Sequence, residues 1–364
     1  MPVRLRLVRG PLDDDALRAT AALYGPFNSK YGDVEFCRQV FNRNVQGWAL
    51  HAILEDADDG RPVGHYALVP FALSRGREQV LSGKGEAFVI LEPYRGESLS
   101  VGDEPALPCG LAMALHLYRF GAEHGLDPIH MIANEEVGLL HRMAGCRGLR
   151  IARRRFVLAV SPGRMARARA SAAGSVVLWL AAAAQRILSG LLMRSRAAPG
   201  PARAWDVSAL EPEQRERLAR ALARSPGWSA HVDAPALDWF ARVGRLQVVA
   251  TDDTFRDCAL VCRRADQDQV MEIVAWNLSR PDPAVAFRLL AQVADEAHRH
   301  GNRMVSLSSL TLALESDLAL LMRTAAAALF RETKGPLLVF VRSRDDRFLD
   351  AASYGFTPFF HATF

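Results

Sequence analysis

The chain has 364 residues, of which 50% are hydrophobic and 23% charged, and its formal net charge is +5. This length is too great for one ordinary core and predicts two domains of globular composition. The five scattered cysteines contain no CxxC pair, which argues against a disulfide framework or a zinc site and predicts a reducing, cytoplasmic compartment. The N-terminus lacks an apolar stretch of signal-peptide length, so export is not expected.

The first half of the chain predicts an α/β unit. Short runs of apolar residues indicate strands, and longer segments with helical periodicity indicate helices. The predicted order is a strand at Val3–Val8, helices at Asp13–Leu23 and Val34–Phe41, strands at Trp48–Leu54, Val63–Ser74 and Gln79–Leu91, a helix at Cys109–His124, a strand at Pro128–Ala133 and a helix at Glu135–Met143.

The second half of the chain repeats this order of elements. Its segment Val270-Met-Glu-Ile-Val corresponds to Lys84-Gly-Glu-Ala-Phe-Val in the first half, so we expect a duplicated unit with domains at 1–160 and 206–364. The predicted elements are a strand at Ala204–Leu210, helices at Pro212–Ala223 and Ala236–Val243, strands at Leu246–Ala250, Arg256–Arg263 and Gln269–Trp276, a helix at Ala284–His300, a strand at Arg303–Ser308, a helix at Leu312–Ala326 and strands at Pro336–Val341 and Pro358–Thr363.

The segment 161–205 predicts a basic amphipathic linker helix. No acidic residue occurs between Glu136 and Asp206, whereas thirteen arginines do, so we expect an anionic partner for this region. Three interpretations stand side by side: a helix that joins the domains through its apolar face, contact with an anionic membrane surface, and docking of an acidic acyl carrier protein. Gln185 and Arg186 argue against a membrane-spanning helix, and nucleic acid is not expected because no reader motif is present.

The most informative segment is Glu86-Ala-Phe-Val-Ile-Leu-Glu-Pro-Tyr-Arg-Gly. It resembles the GNAT superfamily of N-acyltransferases, in which a central strand ends in Val-x-Pro-x-Tyr-Arg-Gly. Pro128-Ile-His-Met-Ile-Ala-Asn, followed by a helix and Ala144-Gly-Cys-Arg, resembles the family strand that ends in Asn. With the repeated layout, the chain resembles double-GNAT proteins. The resemblance implies an α/β fold of two tandem GNAT-like domains, each a mixed, mostly antiparallel sheet flanked by helices.

The resemblance also implies acyl-CoA, either acetyl-CoA or a longer acyl-CoA, as the co-substrate, and no metal. In this family the central strand splays from its neighbour, and its free main-chain groups pair with the pantetheine arm. The following loop surrounds the pyrophosphate at a helix N-terminus, where unpaired N–H groups and the helix dipole favour anions. The implied cofactor-binding residues are Val89, Ile90, Leu91, Arg95, Gly96, Ser98, Ser100 and Asn134.

The phosphate loop departs from the family pattern Arg/Gln-x-x-Gly-x-Gly/Ala. Ser98 and Ser100 stand at positions where the family has small, conformationally permissive residues. The acidic pair Asp103-Glu104 adds negative charge close to the expected pyrophosphate, which is electrostatically unfavourable. The matching place in the second half, Leu278-Ser-Arg-Pro-Asp-Pro, contains no glycine. The acyl donor is therefore expected in the first domain, and the second is expected to bind no cofactor.

Acyl transfer to an amine needs a base for the ammonium proton and an acid for the leaving thiolate. The resemblance implies Glu86 as the base, with an ion pair to a neighbouring cation as its structural alternative. Tyr94 is the candidate acid, or it packs in the core. His65 lies on the adjacent strand beside the expected acceptor, where it is either catalytic or structural.

The sequence as a whole predicts an N-acyltransferase. It would move an acyl group from acyl-CoA, or from an acyl carrier protein, to a primary amine of a biosynthetic intermediate, either a small molecule or a sugar. Two alternatives remain open. The altered phosphate loop favours a catalytically silent double-GNAT protein that binds or scaffolds partners, and the related Fem-type double domains would instead use an aminoacyl-tRNA donor.

Overall fold

The computed structural model of the chain describes residues 2–133, 135–160, 200–223, 227–244, 246–263, 270–308 and 331–354. The chain forms two compact units, Met1–Ala152 with Pro336–Tyr354, and Arg153–Gly335 with Gly355–Phe364. Residues 161–199 of the predicted linker lie outside the described residues, as do the predicted helix Leu312–Ala326 and the predicted strand Pro358–Thr363.

The elements of the first half follow the predicted order closely. Asp13 caps the first helix by accepting a hydrogen bond from the Ala16 N–H (2.8 Å), as short acidic side chains do at helix starts. The elements are β1 Val3–Gly10, α1 Asp14–Tyr24, α2 Val34–Cys37 with a π-helical continuation at Arg38–Asn42, β2 Ala49–Asp56, β3 Pro62–Arg75, β4 Glu78–Ile90, β5 Ser98–Leu99, β6 Leu107–Pro108, α3 Cys109–Glu123, β7 Ile129–Ile132, α4 Glu135–Met143 and β8 Arg147–Ala159.

The second half contains a corresponding set. They are β9 Arg203–Asp206, α5 Pro212–Leu222, β10 Ser229–Ala230, α6 Ala234–Gly244, β11 Leu246–Ala250, β12 Cys258–Arg263, β13 Val270–Asn277, α7 Pro283–Arg299, β14 Met304–Ser308 and β15 Arg331–Arg342, followed by helical turns at Asp346–Phe348 and Ala351–Ser353. Asp282 caps α7 by accepting from the Ala284 N–H (2.8 Å).

The first unit contains a sheet with the strand order β1-β2-β3-β4-β7-β15. All neighbours pair antiparallel except β4 and β7, which pair parallel. The apolar side of this sheet packs against α3 in a core that includes Leu50, Leu68, Met113 and Tyr118. The mixed, mostly antiparallel sheet that the sequence predicts is therefore present.

The second unit contains a sheet with the equivalent order β9-β11-β12-β13-β14-β8. Here too one central pair, β13 and β14, is parallel, and the other pairs are antiparallel. Helix α7 covers the sheet through buried apolar residues such as Phe287, Leu290 and Val293. The same strand order in both units confirms the predicted duplication.

Each sheet ends in a strand contributed by the opposite half of the chain. In the first unit, β15 pairs with β7 from Val339↔Ile132 to Arg342↔Ile129. In the second unit, residues 155–159 of β8 pair with β14. The sequence pattern indicated that Pro336–Val341 is a strand of the C-terminal domain, and it did not predict β8. The strand that contains Phe340 belongs to the first unit because the Phe340 side chain is completely buried there. Its ring packs so closely against Gly138 that a Cβ at position 138 would clash with the ring.

Polar contacts also hold the C-terminal segment in the first unit. The Ser343 hydroxyl donates to Asp127 (2.5 Å), and Arg347 donates to Glu78 (2.8 Å). The Tyr354 hydroxyl lies 2.9 Å from Nε2 of the buried His130. Residues 336–354 are thus an integral part of the first unit.

Two further findings bear on the composition-based expectations. All five cysteines are buried and carry free thiols. Within the described residues, we find no helix with the length and apolar character that crossing a membrane requires.

The exchanged strand gives a first testable prediction. Phe340→Ala should lower the free energy of unfolding of the full chain by about 3–5 kcal/mol, because it leaves a cavity in a fully buried site. Urea denaturation followed by tryptophan fluorescence measures this. Phe27→Ala, at a side chain that is 57% exposed, is the matched control and should change stability by less than about 0.5 kcal/mol. Equal effects of the two substitutions would contradict the packing described.

Candidate active site

The first unit has an opening between its two parallel strands. The register of β4 and β7 contains the pairs Gly83↔Ile129 and Lys84↔His130, and it contains no later pair among the described residues. Strand β4 nevertheless continues to Ile90 and β7 to Ile132. The strands therefore separate after Lys84, which is the splay that the resemblance implies.

Main-chain groups of Ile90 face this opening. The Leu91 N–H donates to the Val63 carbonyl (2.9 Å), so Val63 and Leu91 form a hydrogen-bonded pair. Because such pairs alternate along an antiparallel ladder, Val89 also bonds β3, and Ile90 directs its N–H and C=O away from β3. The Ile90 carbonyl accepts from Arg95 Nε (3.0 Å). Of the three predicted main-chain contacts, only Ile90 points into the opening. Val89 pairs within the sheet, and the Leu91 N–H donates to Val63 while the Leu91 carbonyl accepts from the Tyr94 N–H (2.9 Å).

A β-bulge interrupts β4 beside the opening. The register with β3 passes from Ala67↔Glu86 to His65↔Val89, so one extra residue of β4 is accommodated there. Ala87 has φ of 60°, an unfavourable conformation for a residue with a Cβ. The Tyr24 hydroxyl donates a short hydrogen bond to the Ala87 carbonyl. This bond fixes the bulge, and bulges redirect the side chains that follow them.

His65 is completely buried behind this bulge. Its Nδ1 lies 2.7 Å from the Tyr24 hydroxyl, and its Nε2 lies 3.0 Å from His51 Nδ1. Both ring nitrogens of His65 therefore have a hydrogen-bond partner, and the Tyr24 hydroxyl also lies 3.3 Å from the His65 carbonyl oxygen. Burial, and secondly the charge of His51, lower the pKa of His65 well below its usual value. The structure therefore places the predicted catalytic His65 as a neutral support for Tyr24.

Glu86 is a buried carboxyl two residues beyond the last β4–β7 pair. Its Oε2 accepts from the Tyr31 hydroxyl (2.8 Å), and its Oε1 contacts Nζ of the buried Lys84. Burial raises the pKa of Glu86, while the positive charge and hydrogen bond of Lys84, the Tyr31 hydrogen bond and the charge of Lys30 oppose the rise. A carboxyl with a raised pKa at an opening has the properties of a general base.

The opposite face of the sheet carries a buried chain of hydroxyls that the sequence analysis did not identify. The Tyr66 and Tyr118 hydroxyls are 2.9 Å apart, and the Tyr118 hydroxyl is 2.7 Å from His141 Nδ1. A Cβ at Gly85 would lie only 2.5 Å from the Tyr66 hydroxyl oxygen, so only glycine fits there. The Tyr66 hydroxyl therefore lies against Gly85, one residue past the last β4–β7 pair. Strand alternation alone could have predicted that Tyr66 and Gly85 share a face of the sheet. That Tyr118 of α3 and His141 of α4 lie beside Tyr66 is visible only in the folded structure.

The structure does not bring Tyr94 to the opening with a free proton. Its hydroxyl donates to Asp56 Oδ2 (2.5 Å) and accepts from the Arg61 guanidinium (3.2 Å). The Asp56 carboxylate, as the leading cause, raises the pKa of Tyr94. Tyr94 thus fastens the residues after β4 to the turn between β2 and β3.

The predicted phosphate loop forms a small hairpin. Strands β5 and β6 pair through Ser98↔Pro108 and Leu99↔Leu107, and the Cys109 N–H at the start of α3 donates to the Glu97 carbonyl (3.0 Å). Gly96, Ser98 and Ser100 are exposed, as is Arg95, whereas Asn134 lies outside the described residues.

The acidic residue at the tip of this hairpin is neutralised along α3. Glu104 forms an ion pair with Arg119 and lies 3.6 Å from His116 Nε2. His116 follows the first residue of α3 by seven positions, which is about 10 Å of helix. The Glu104 charge is therefore held beside the helix and not in front of its N-terminus.

Within the described parts of the chain, no three His, Cys, Asp or Glu side chains are grouped so that they could hold a metal ion. No protein-family model and no curated protein matches the sequence. Solved structures do match it over almost its whole length. The chain has the GNAT fold.

Three of these structures show the range of the similarity. A probable N-acyltransferase from Enterococcus faecalis matches with a TM-score of 0.57 and 9% identity over 94% of this chain and 72% of its own. A GCN5-related N-acetyltransferase from Anabaena variabilis matches with a TM-score of 0.56 and 12% identity, over 93% of this chain and 72% of its own. A tandem GNAT protein from the clavulanic acid biosynthesis pathway matches with a TM-score of 0.54 and 11% identity, over 93% of this chain and 98% of its own. The two tandem GNAT-like units are therefore supported by a protein of nearly the same extent.

The bulge gives a second prediction. Tyr24→Phe removes the donor to the Ala87 carbonyl and leaves buried polar groups without a partner, so the free energy of unfolding should fall by about 1–3 kcal/mol. Amide hydrogen exchange should quicken around residues 86–90. Tyr354→Phe is the control, because it removes a half-buried hydroxyl whose partners are His130 and the Phe348 carbonyl and not the bulge. Unchanged exchange in Tyr24→Phe would contradict a role in holding the bulge.

The buried histidines give a third prediction. Burial lowers the pKa of His141 to about 4 and those of His51 and His130 to about 3, from the usual 6.5. Below pH 6.5 the unfolded chain therefore binds more protons than the folded chain. Stability should be fully present above pH 6.5 and fall as the pH drops toward 4, by up to about 1.4 kcal/mol per pH unit for each histidine.

Urea titrations across this pH range measure the loss of stability. His141→Gln should reduce the slope, because one of the contributing groups is removed. A free energy of unfolding that is constant between pH 6.5 and 4 would show that these imidazoles are not held neutral.

Proposed function

We propose that the chain is an N-acyltransferase that transfers an acyl group from acyl-CoA, or from an acyl carrier protein, to a primary amine of a small-molecule or sugar intermediate. One observation carries the proposal. Strand β4 separates from β7 after Lys84, and the buried carboxyl of Glu86 lies two residues beyond that point. A base is thus placed beside main-chain groups that can bind a thioester's amide-containing arm.

The acyl donor is assigned to the first unit. The Ile90 N–H faces the opening, and its carbonyl is occupied only by an exposed arginine that a ligand can displace. Arg95, Gly96, Ser98 and Ser100 lie before the N-terminus of α3, whose N–H groups favour a phosphate, and Asn134 completes the proposed set. The second unit keeps β13 and β14 paired over four residues, from Val270↔Met304 to Ile273↔Leu307, which leaves less of the strand for a donor.

The chemistry then follows from the placement of the side chains. Glu86 takes one proton from the acceptor ammonium, the amine nitrogen attacks the thioester carbonyl, and the carbon–sulfur bond breaks to release a thiolate. The nitrogen then loses its second proton, which balances the proton that the thiolate takes up. Tyr94 is not assigned as the acid, because its proton is engaged with Asp56. The Tyr66 hydroxyl lies against Gly85 beside the point where the strands separate and is linked to Tyr118 and His141, and it is our candidate for the proton donor to the thiolate.

The compartment of the protein and the partner of its arginine-rich region are proposed from features of the sequence. We propose a cytoplasmic protein, because its cysteines are free thiols. The arginine-rich region 161–205 would contact either an acyl carrier protein or an anionic membrane surface. The pairing of Glu104 with Arg119 favours a functional donor site over a silent scaffold, because it compensates one of the two negative charges of the Asp103-Glu104 pair.

The proposal predicts the behaviour of Glu86→Gln. Calorimetry should show acetyl-CoA or longer acyl-CoA binding to the wild type and to the variant alike. With a panel of primary amines and amino sugars, the release of free CoA should fall about 100-fold in kcat, because the base is lost. Glu272→Gln, at the corresponding strand position of the second unit, is the matched control and should leave kcat unchanged. Absence of binding by every acyl-CoA and by an acylated carrier protein would overturn the proposal.

A further inference from the structure

Lysine is almost absent from this chain. Only three of its 45 lysine and arginine residues are lysines, namely Lys30, Lys84 and Lys334. Arginine forms ion pairs at least as well as lysine, but only lysine readily becomes a neutral, nucleophilic amine. The positions at which this chain retains lysine are therefore informative.

Two of the three lysines lie around Glu86. Lys84 has a side chain that is only 10% exposed, and its Nζ contacts Glu86 Oε1 directly. Lys30 precedes Tyr31, whose hydroxyl donates to the other carboxylate oxygen, and its charge also acts on Glu86. The amine of Lys84 thus occupies the place that an acceptor amine would take beside this carboxyl.

The fold itself does not require a lysine at this position. The corresponding strand of the second unit, β13, has a buried glutamate at Glu272 and a buried valine, Val270, two residues before it. Val270 is also paired in parallel with the neighbouring strand, as Lys84 is. The corresponding strand position of the second unit is therefore occupied by a valine, so the fold does not need a charged side chain there.

We propose that Lys84 is a self-acylation site, which receives the acyl group from bound acyl-CoA when no external amine occupies the site. The inference rests on the proposed function, because it uses the same base and the same donor. Lys84 also marks the last β4–β7 pair, so its amine stands at the point where the strands separate.

The reaction balances without any further reagent. The Lys84 ammonium gives one proton to Glu86, and its nitrogen lone pair then attacks the thioester carbonyl carbon. A nitrogen–carbon bond forms, the carbon–sulfur bond breaks, and the sulfur leaves as a thiolate. The nitrogen loses its second proton, which the thiolate takes up, so the products are an acyl-lysine amide, free CoA thiol and one proton that Glu86 releases to solvent.

Self-acylation would change the site chemically. An amide carries no charge, so Glu86 would lose its closest positive partner. An incoming ammonium would then no longer compete with Lys84 for the carboxylate. The modification would therefore convert the site from an internally paired state to one that favours a cationic acceptor.

The test uses the full chain with acetyl-CoA and no acceptor amine, followed by intact-mass measurement and peptide mapping. We expect one acetyl group per chain, located at Lys84. Lys30 and Lys334 are internal controls for uncatalysed acetylation and should stay unmodified. Lys84→Arg, which keeps a cation beside Glu86, should abolish the modification.

Glu86→Gln should slow the modification about 100-fold, whereas Glu272→Gln should not alter it. Equal acetylation of all three lysines, or a rate that does not depend on Glu86, would overturn the inference. An enzyme that acetylates external amines but never Lys84 would also overturn it, and would leave the proposed function intact.

A second reagent separates failure of the inference from failure of the donor assignment. p-Nitrophenyl acetate acetylates reactive amines without needing a CoA site. If acetyl-CoA does not bind but this ester labels Lys84 selectively, the donor assignment fails and the nucleophilic lysine stands. If the ester labels the three lysines alike, Lys84 has no special reactivity and the inference fails.

Discussion

The hydrogen bond from the Tyr24 hydroxyl to the Ala87 carbonyl is the contact on which the site depends. It compensates a residue with positive φ, and it holds the bulge at the strand where the sheet opens. His65 and His51 extend this support across β3 and β2, so the bulge is fixed from helix α1 to the second strand. Glu86 and Ile90 lie on either side of the bulge that this interaction holds.

The polar groups of the site are costly to bury, and this cost limits where they can occur. A buried carboxylate is tolerated only with compensating hydrogen bonds and charge, which Tyr31 and Lys84 supply to Glu86. An apolar pair at these positions would pack without that cost. Perturbed, paired carboxyls of this kind concentrate at functional sites, which agrees with the proposed acyltransferase chemistry.

The sequence predicted those parts of the fold that depend on local patterns. Helix Glu135–Met143 and strand Leu246–Ala250 have the predicted bounds, because periodicity and breakers define both. Strand β8 was missed because its run of arginines hides any alternation, and β15 was assigned to the wrong unit because pairing between distant segments leaves no local signal. The roles of Tyr94 and His65 could not be predicted, since each depends on a partner that only the fold brings near. The proximity of Lys84 to Glu86 was accessible, because residues two apart on a strand share a face.

The exchange of end strands has a consequence for the order of synthesis. A ribosome completes β1 to β7 long before it makes Pro336–Tyr354, so the nascent first unit lacks its edge partner during most of translation. The main-chain edge of β7 and the space that Phe340 fills remain uncovered over that interval, and exposed strand edges invite pairing with other chains. The first unit therefore reaches its final form only after its C-terminal segment has emerged.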